Sequence, residues 1–333
     1  MERDAINLQI YDKKTREVEF IELKDLQDLN RAISDGWTKN IVNISELAMD
    51  QRMSKIADTI SQAECPPKFV LISGPSSSGK TTFSKRLSLH LLARGMKPYP
   101  ISLDDYFVDR ERTPKDETGD YDYESLYALD VDLFNKHLNA LLNGEEIELP
   151  HYDFPTGTSQ KSGIKVKMEK GMVLLLEGIH ALNPLLTAQV DDAAKFKLYV
   201  SVLAPILLEG DKAASRTDSR LIRRIIRDNK YRGTSAQQTI ARWPSVRRGE
   251  DKWVFPCQQY ADVEFNTAQY YELAVLKDCA LPLLNKIKPD AEEYETAQRL
   301  KALLRRFRSL ADPSVIPTVS LLREFLGGSG FKY

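Results

Sequence analysis

The stretch Gly74-Pro75-Ser76-Ser77-Ser78-Gly79-Lys80-Thr81 fits the pattern G-x-x-x-x-G-K-[ST]. An apolar run from Phe69 to Ser73 precedes it, and a helical pattern that continues through Leu92 follows it. Glycine and small serine residues let the backbone curl so that successive N–H groups point at phosphate oxygens, and the helix N-terminus adds its partial positive charge. The stretch therefore predicts a nucleotide-binding loop in which Lys80 reaches the β- and γ-phosphates and Thr81 takes a place on Mg²⁺.

Short apolar runs separated by helical patterns continue from Lys68 onward. This texture is typical of parallel strands that are buried on both faces and joined by helices. The candidate strands are Phe69 to Ser73, Pro100 to Leu103, Met172 to Leu176, Phe196 to Val202 and Val263 to Asn266. We therefore predict an α/β fold of the P-loop NTPase type, a doubly wound parallel sheet flanked by helices. The long segment from Asp104 to Lys170 is rich in Asp, Tyr, Gly and Pro, and it predicts an inserted substrate-binding segment.

Residues 1 to 63 predict a small N-terminal α+β leader. Ile6 to Tyr11 and Val18 to Leu23 are strand-like runs around the turn-prone Asp12-Lys13-Lys14, and helical patterns follow them. Pro66-Pro67 marks a boundary. We therefore predict three regions: the leader at 1–63, a P-loop domain at 64–290, and a C-terminal helix and tail at 291–333.

The composition excludes several classes of protein. Forty-seven Lys and Arg against 48 Asp and Glu give a formal net charge of -1, so there is no global pull toward nucleic acid or anionic membrane. No apolar run approaches the roughly 20 residues of a membrane helix, and the N-terminus lacks a signal-peptide pattern. Three cysteines form no CxxC pair, and their odd number argues against a disulfide framework. We therefore predict a cytoplasmic protein.

Carboxylates follow two of the predicted strands. Asp104 and Asp105 come where the second strand ends, and Glu177 comes directly after Met172 to Leu176. Because ligands of open α/β sheets collect at the carboxyl ends of strands, Asp104 is a candidate base for an acceptor hydroxyl and a candidate Mg²⁺ ligand, directly or through water. Glu177 fits the Walker B position, where it would hold Mg²⁺ together with Thr81. The alternative for both aspartates is a helix N-cap or a solvated turn, and for Asp105 the N-cap is the favoured interpretation.

His180 lies three residues after Glu177 and is a candidate substrate contact. A lone histidine at a strand end is more often a structural hydrogen-bonding residue, so that alternative stays open.

The segment from 209 to 250 carries eleven Lys and Arg against five acids. On a helix, one continuous face would hold Arg220, Arg223, Arg224 and Arg227, and the other face would be apolar. Because arginine grips phosphate oxygens through several donors, we predict a mobile lid with few buried contacts that closes over ATP. A solvated basic helix and an RNA-binding patch are the alternatives.

With these motifs in order, the chain resembles the uridine kinase and phosphoribulokinase family of P-loop kinases, over about 68 to 285. The matching pieces are the nucleotide-binding loop with Thr82, Ile-Ser-Leu-Asp-Asp-Tyr-Phe at 101–107, Tyr-Asp-Tyr-Glu at 121–124, Pro-His-Tyr-Asp-Phe at 150–154, Leu-Leu-Glu-Gly-Ile-His at 175–180, the Arg-rich segment 217–233 and Tyr-Ala-Asp-Val at 260–263. The sequences at 243–250 and 322–328 are similar to those of a bacterial-type subgroup of uridine kinase-like proteins.

The resemblance implies a role for each matched residue. Asp104 would be the base for the acceptor 5′-hydroxyl, and Glu177 and Thr81 would serve Mg²⁺. The nucleoside would lie near Tyr123 and Glu124 at its ribose and near Tyr152 and Phe154 at its base. The arginines expected near substrate and phosphates are Arg220 for the substrate, Arg223 and Arg227 in catalysis, and Arg232 for the nucleotide.

Two positions depart from the family pattern. Known uridine kinases have a base-reading histidine shortly after Tyr-Asp-Phe, where this chain has Gly157-Thr158-Ser159, and Glu124 stands where a ribose aspartate is usual. The departures leave phosphoryl transfer untouched and leave the preferred nucleoside open. In the subgroup, the kinase often follows modules similar to the N-terminal part of threonyl-tRNA synthetase, so residues 1–63 are interpreted as a remnant of such a module or a linker.

We therefore predict an Mg·ATP-dependent kinase of nucleoside salvage that phosphorylates the 5′-hydroxyl of a uridine- or cytidine-like ribonucleoside. One alternative is a kinase of another small alcohol, such as a sugar phosphate. Another is a non-catalytic ATP-binding regulator or RNA-associated module. The predicted partner is the small-molecule nucleoside, with neither membrane nor nucleic acid expected, and assembly into a homo-oligomer stays open.

Overall fold

The computed structural model describes residues 6–11, 18–117, 119–209, 212–310 and 312–332. Its strands are β1 (Ile6–Tyr11), β2 (Val18–Leu23), β3 (Phe69–Ser73), β4 (Lys97–Ser102), β5 (Glu146–Asp153), β6 (Thr158–Lys167), β7 (Met172–Glu177), β8 (Lys195–Ser201), β9 (Leu207–Glu209), β10 (Lys212–Ala213) and β11 (Val263–Asn266). Its α-helices are α1 (Leu26–Ser34), α2 (Thr38–Ser61), α3 (Lys80–Leu92), α4 (Val131–Leu142), α5 (Arg216–Arg232), α6 (Ala236–Trp253), α7 (Glu272–Leu284), α8 (Tyr294–Arg305) and α9 (Arg323–Leu326).

The predicted strands form one five-stranded sheet in the order β11-β8-β3-β7-β4. β3 pairs in parallel with β7 on one side and with β8 on the other, and β7 pairs in parallel with β4. All five residues of β3 and the inner residues 173–176 of β7 are buried, as expected for strands that are covered on both faces. The predicted α/β fold, a parallel sheet flanked by helices, is confirmed.

Strand β4 differs from its predicted bounds at both ends. It begins at Lys97, before the two prolines Pro98 and Pro100, which interrupt the apolar pattern. As an edge strand, β4 tolerates residues that lack a backbone N–H. It ends at Ser102 because the next residues form a 3₁₀ turn, whose N-terminus is capped when Ser102 Oγ accepts a hydrogen bond from Asp104 N–H at 3.2 Å.

The chain divides into two compact units. The sheet unit comprises Met53–Ser201 and Ser245–Phe265, and the helical unit comprises Met1–Arg52, Val202–Pro244 and Asn266–Tyr333. Helix α6 is divided between them at Pro244. The predicted domain boundaries, at 63/64 and 290/291, stay a prediction.

Within the helical unit, α5 packs on α7 and α9. Its buried apolar residues are Leu221, Ile222, Ile225 and Ile226. The expectation that this segment has few buried contacts is therefore wrong, because one face of the helix is core; movement of the segment as a lid stays a prediction.

β1 and β2 pair in antiparallel fashion over the predicted residues, and their predicted turn at 12–14 lies outside the described residues.

Within the sheet unit, the inserted segment shares one hydrophobic core with the sheet. Helix α4 contributes Phe134 and Leu138, and the antiparallel hairpin β5–β6 contributes Ile147 and Val166. These side chains join the same cluster as the residues of β3, β4 and β7. The hairpin is thus packed against the sheet through a shared hydrophobic core. No helix among the described residues is both long enough and apolar enough to cross a membrane.

Candidate functional site

The nucleotide-binding loop connects β3 to α3 in the sheet unit. Gly74 opens it with a φ of +152°, and a Cβ added there would lie 2.1 Å from the carbonyl oxygen of Val200. Only glycine allows the loop to approach β8 this closely. Ser77 has a φ of +59°, so the loop curls through a conformation that few non-glycine residues adopt. The predicted loop is therefore present in the expected strand–loop–helix context.

Lys80 folds back over this loop. Its side chain is buried, and Nζ donates a hydrogen bond to the carbonyl oxygen of Pro75 at 3.3 Å. The same oxygen accepts the Ser78 N–H at 3.2 Å. The ammonium group is thereby held inside the curl of the loop, where the predicted phosphate contact requires it.

The predicted metal ligands come from neighbouring elements. Thr81 Oγ1 donates to Glu177 Oε2 at 3.2 Å, so the two predicted Mg²⁺ ligands are already in contact. Glu177 lies opposite Ser102 in the register of β7 and β4. Asp104 comes two residues after Ser102, and its side chain is exposed. The donors are a hydroxyl and carboxylates, the hard oxygen ligands that Mg²⁺ prefers, and the site therefore fits this ion.

Asp105 has a different role from the predicted cap. Its Oδ1 lies 3.0 Å from His151 Nδ1 and 3.5 Å from the backbone nitrogen of Tyr152, both on β5. The cap of the turn is Ser102 instead. The interpretation of Asp105 as an N-cap is therefore wrong, because its carboxylate is used to hold the hairpin beside the end of β4.

An aromatic wall begins at Phe107, three residues after Asp104. It consists of Phe107, Tyr123, Tyr152 and Phe154, whose rings lie 5.1 to 6.5 Å apart, centroid to centroid. Tyr123 and Phe154 are 41% and 54% exposed, so two of the rings offer a free surface. The structure thus brings the predicted residues Tyr123, Tyr152 and Phe154 together. It adds Phe107, which belongs to the 101–107 motif but had no predicted role.

The hairpin tip at 157–159 is held by Asp109 and Arg110. Asp109 Oδ1 accepts the Ser159 N–H at 2.8 Å, and Arg110 N–H donates to the Gly157 carbonyl at 2.8 Å. Arg110 Nη2 also donates to the Phe154 carbonyl at 2.8 Å. A guanidinium group therefore lies beside the aromatic wall and against Gly157, in the stretch where the resembling kinases carry a histidine.

Glu124, predicted near the ribose, is half-buried and packs against α6. A Cβ added to Gly249 would lie 2.2 Å from Glu124 Cβ, so the two backbones approach closely here. The Glu124 N–H is itself held by Asp122 Oδ1 at 3.1 Å.

His180 is almost fully buried. Its ring packs edge-on against Trp253, with 6.4 Å between centroids. Burial, with a smaller contribution from the charge of Lys80, lowers the pKa of His180 to about 4. The imidazole is therefore neutral at physiological pH, and its role as a substrate contact stays a prediction.

This burial predicts a dependence of stability on pH. The unfolded state takes up a proton near pH 6.5 and the folded state only near pH 4, so the contribution of His180 is fully present above 6.5 and is lost as the pH falls toward 4. At pH 5 the loss is about 2 kcal/mol. Urea unfolding at pH 7.5 and 5.0 should show a smaller difference for His180→Gln than for the wild type. Equal differences for the two proteins would contradict the prediction.

Arg223 lies in the helical unit with none of its surface exposed. Its Nε and Nη2 donate to the two carboxylate oxygens of Glu272 at 2.6 and 2.5 Å, and Nη1 donates to Thr267 at 3.2 Å. The guanidinium is thus used to bind α5 to α7. The helical pattern predicted an exposed Arg223 that contacts phosphate. The structure instead shows a buried guanidinium that is paired with Glu272.

The other predicted arginines gather around Trp243 and Asp228. The Arg220 and Arg224 guanidinium groups lie 5.3 and 6.0 Å from the Trp243 ring centroid. The nearly buried Asp228 forms ion pairs with Arg224 at 3.2 Å, with Arg227 at 3.0 Å and with Arg232 at 3.4 Å. Three guanidinium groups thus share one carboxylate, and the Arg232 side chain is 53% exposed.

The sequence predicted no site role for Glu250, which is one of the acids of the basic segment and the last residue of the subgroup-like stretch 243–250. Its Oε1 accepts the Ser76 N–H of the nucleotide-binding loop at 2.9 Å. The two residues are 174 positions apart, so no local spacing could have revealed the contact.

Comparison with known proteins shows the family of this chain. The profile of the phosphoribulokinase / uridine kinase family matches residues 69–274. A uridine kinase of Staphylococcus aureus (strain JH9) is 32% identical over 194 residues, which are 58% of this chain and 84% of the relative. A solved structure from Bacillus stearothermophilus, described as a possible uridine kinase, is 22% identical with a TM-score of 0.43 and covers 65% of this chain and 98% of its own.

A D-glycerate 3-kinase from Cryptococcus neoformans var. grubii is 15% identical with a TM-score of 0.31, over 85% of this chain and 90% of its own. The family match spans the loop, both carboxylate-bearing strands, the aromatic wall and the arginine segment. The chain therefore belongs to the phosphoribulokinase / uridine kinase family and is an ATP-dependent small-molecule kinase.

Proposed function

We propose that this kinase transfers the γ-phosphoryl group of Mg·ATP to the 5′-hydroxyl of a uridine- or cytidine-like ribonucleoside. The observation that carries the proposal is the aromatic wall: Phe107 follows Asp104 by three residues along the chain, and the exposed rings of Tyr123 and Phe154 suit a flat heterocyclic base. The 32% sequence identity with a uridine kinase, over 84% of that protein, supports the same acceptor class.

Asp104 accepts the proton of the attacking hydroxyl in this proposal. Its carboxylate is exposed and lies two residues after the carboxyl end of β4, and general-base help of this kind is worth about 10² to 10⁴ in rate. The loop N–H groups and Lys80 bind the ATP phosphates. Thr81 and Glu177 hold Mg²⁺ with help from Asp104, and the bound ion neutralises charge on the transferring group.

The arginines enter the proposal unequally. Arg227 and Arg232 keep side-chain surface toward solvent and are proposed to contact phosphate, as the family resemblance implies. Arg220 is buried beside Trp243, and Arg223 is taken up by Glu272; both are proposed to support the helix that carries the others. The leader as a module remnant, the cytoplasmic location and a homo-oligomeric state stay predictions.

A sugar phosphate is the second candidate acceptor, and Arg110 favours it. A guanidinium beside the aromatic wall would suit an anionic group on the acceptor better than a neutral pyrimidine. A nucleoside acceptor would use the same group as a donor to a base carbonyl.

An acceptor screen distinguishes the two. Consumption of ATP is measured with uridine, cytidine, purine nucleosides, phosphorylated sugars and pantothenate, with tRNA as a binding control. We expect the highest kcat/KM for a pyrimidine ribonucleoside, with phosphate found on its 5′-oxygen. A preference for a sugar phosphate of 10-fold or more would overturn the nucleoside proposal and leave the kinase assignment intact.

A further inference from the structure

Glu250 is a buried carboxylate that touches the nucleotide-binding loop from outside. None of its surface is exposed. Oε1 accepts the Ser76 N–H at 2.9 Å, and Oε2 lies 3.2 Å from Arg247 Nη1. All three residues belong to the sheet unit. Removing a carboxylate from water costs several kcal/mol unless it is paired and hydrogen-bonded. An apolar side chain would fill this space at lower cost, so the carboxylate itself needs an explanation.

The contact acts on one peptide bond of the loop. In a trans peptide the carbonyl and the following N–H point in opposite directions. The Ser76 N–H faces Glu250, and the Pro75 carbonyl therefore faces the interior of the loop, where it accepts the Lys80 Nζ and the Ser78 N–H. Glu250 and Lys80 thus hold the same peptide from its two sides.

Two neighbours fix the position of Glu250. Gly249 has no room for a Cβ against Glu124, so the last turn of α6 sits close to the segment at 121–125. Arg247 holds the second carboxylate oxygen of Glu250, and its own guanidinium lies 4.8 Å from the Phe255 ring and pairs with Asp251 at 3.1 Å. The side chain is thereby aimed at the loop from a supported turn.

We propose that Glu250 is a positioning residue for phosphoryl transfer. It fixes the Pro75–Ser76 peptide, and that peptide in turn holds the Lys80 ammonium in the place where the γ-phosphoryl charge develops. The proposal rests on the phosphate role of Lys80 and not on the identity of the acceptor. Misplacement of a catalytic group by about 1 Å can cost on the order of 100-fold in rate, so a remote contact of this kind has a measurable effect.

The test uses two substitutions of one side chain. Glu250→Met fills a similar volume without an acceptor for the Ser76 N–H, and Glu250→Gln keeps an acceptor oxygen. We expect kcat to fall about 10-fold or more in Glu250→Met, with ATP KM changed less than about threefold, and to recover to within about threefold of the wild type in Glu250→Gln. Asp251→Asn is the matched control, because it removes the other acidic partner of Arg247 without touching the loop.

A double-mutant cycle with Lys80→Ala separates positioning from structure. If Glu250 acts through Lys80, Glu250→Met should cost little further rate once Lys80 is absent. An equal fold-loss in both backgrounds would show a purely structural role and overturn the proposal. Tighter ATP binding in Glu250→Met would also overturn it, since the carboxylate would then compete with phosphate. If Glu250→Met fails to fold, Glu250→Asp, which is shorter by one methylene, replaces it in the same cycle.

If Lys80→Ala alone leaves turnover unchanged, the phosphate role of the loop fails first. The two failures are therefore distinguishable. If Lys80→Ala lowers turnover but Glu250→Met does not, only the positioning proposal fails.

Discussion

Replacing Lys80 by alanine should reduce ATP turnover about 100- to 1000-fold while the protein remains folded. The Nζ group lies within the curl of the loop at 3.3 Å from the Pro75 carbonyl, so its loss removes one preorganised positive charge from the phosphates. The loss of one such donor at a transition state typically costs about 3 to 4 kcal/mol. Steady-state turnover with the best acceptor measures the effect, and thermal unfolding checks the fold.

Lys97→Ala is the matched control for this prediction. Lys97 is largely exposed on β4 and pairs with Glu169 at 2.8 Å, and exposed pairs of this kind contribute little to stability. Its variant should turn over ATP at the wild-type rate. Turnover of Lys80→Ala within a factor of two of the wild type would remove the loop lysine from the mechanism.

Replacing Asp104 by asparagine should lower turnover at least 100-fold and weaken ATP binding only modestly. Asparagine keeps the shape of the side chain but can neither accept the proton of the acceptor hydroxyl nor supply a charge to the metal. The exposed position of Asp104 predicts that folding is unaffected. Turnover and ATP affinity, measured on the same preparation, separate the chemical loss from a binding loss.

The neighbouring carboxylate provides the control for Asp104. Asp105→Asn should weaken the tie from the turn to His151 and Tyr152, so its effect should appear mainly as a raised KM for the acceptor. Retained turnover in Asp104→Asn would reduce that residue to a turn position and direct the search for the base to Asp105 or Glu177. Loss of folding together with ATP binding would make its role structural.

The centre of the sheet could be predicted because β3 and β7 are continuous apolar runs, and β3 has the predicted bounds. The loop could be predicted because its chemistry lies in eight consecutive residues. Burial of the arginine face could not, since Arg223 looks like any exposed helical arginine until Glu272, 49 residues later, is packed against it. Likewise, Asp105, Phe107 and Glu250 gain their roles from partners that are distant in sequence.

The way the hairpin is attached has a consequence for how this enzyme could change its acceptor. Asp105 fastens β5 to the turn after β4, and Asp109 and Arg110 fasten the tip at 157–159. The residues proposed to hold ATP and metal lie on other elements, at Lys80, Thr81 and Glu177. With the proposed roles, substitutions at the tip would alter acceptor preference and leave the ATP-binding residues in place, so the hairpin is the part of this enzyme in which a new acceptor preference could evolve.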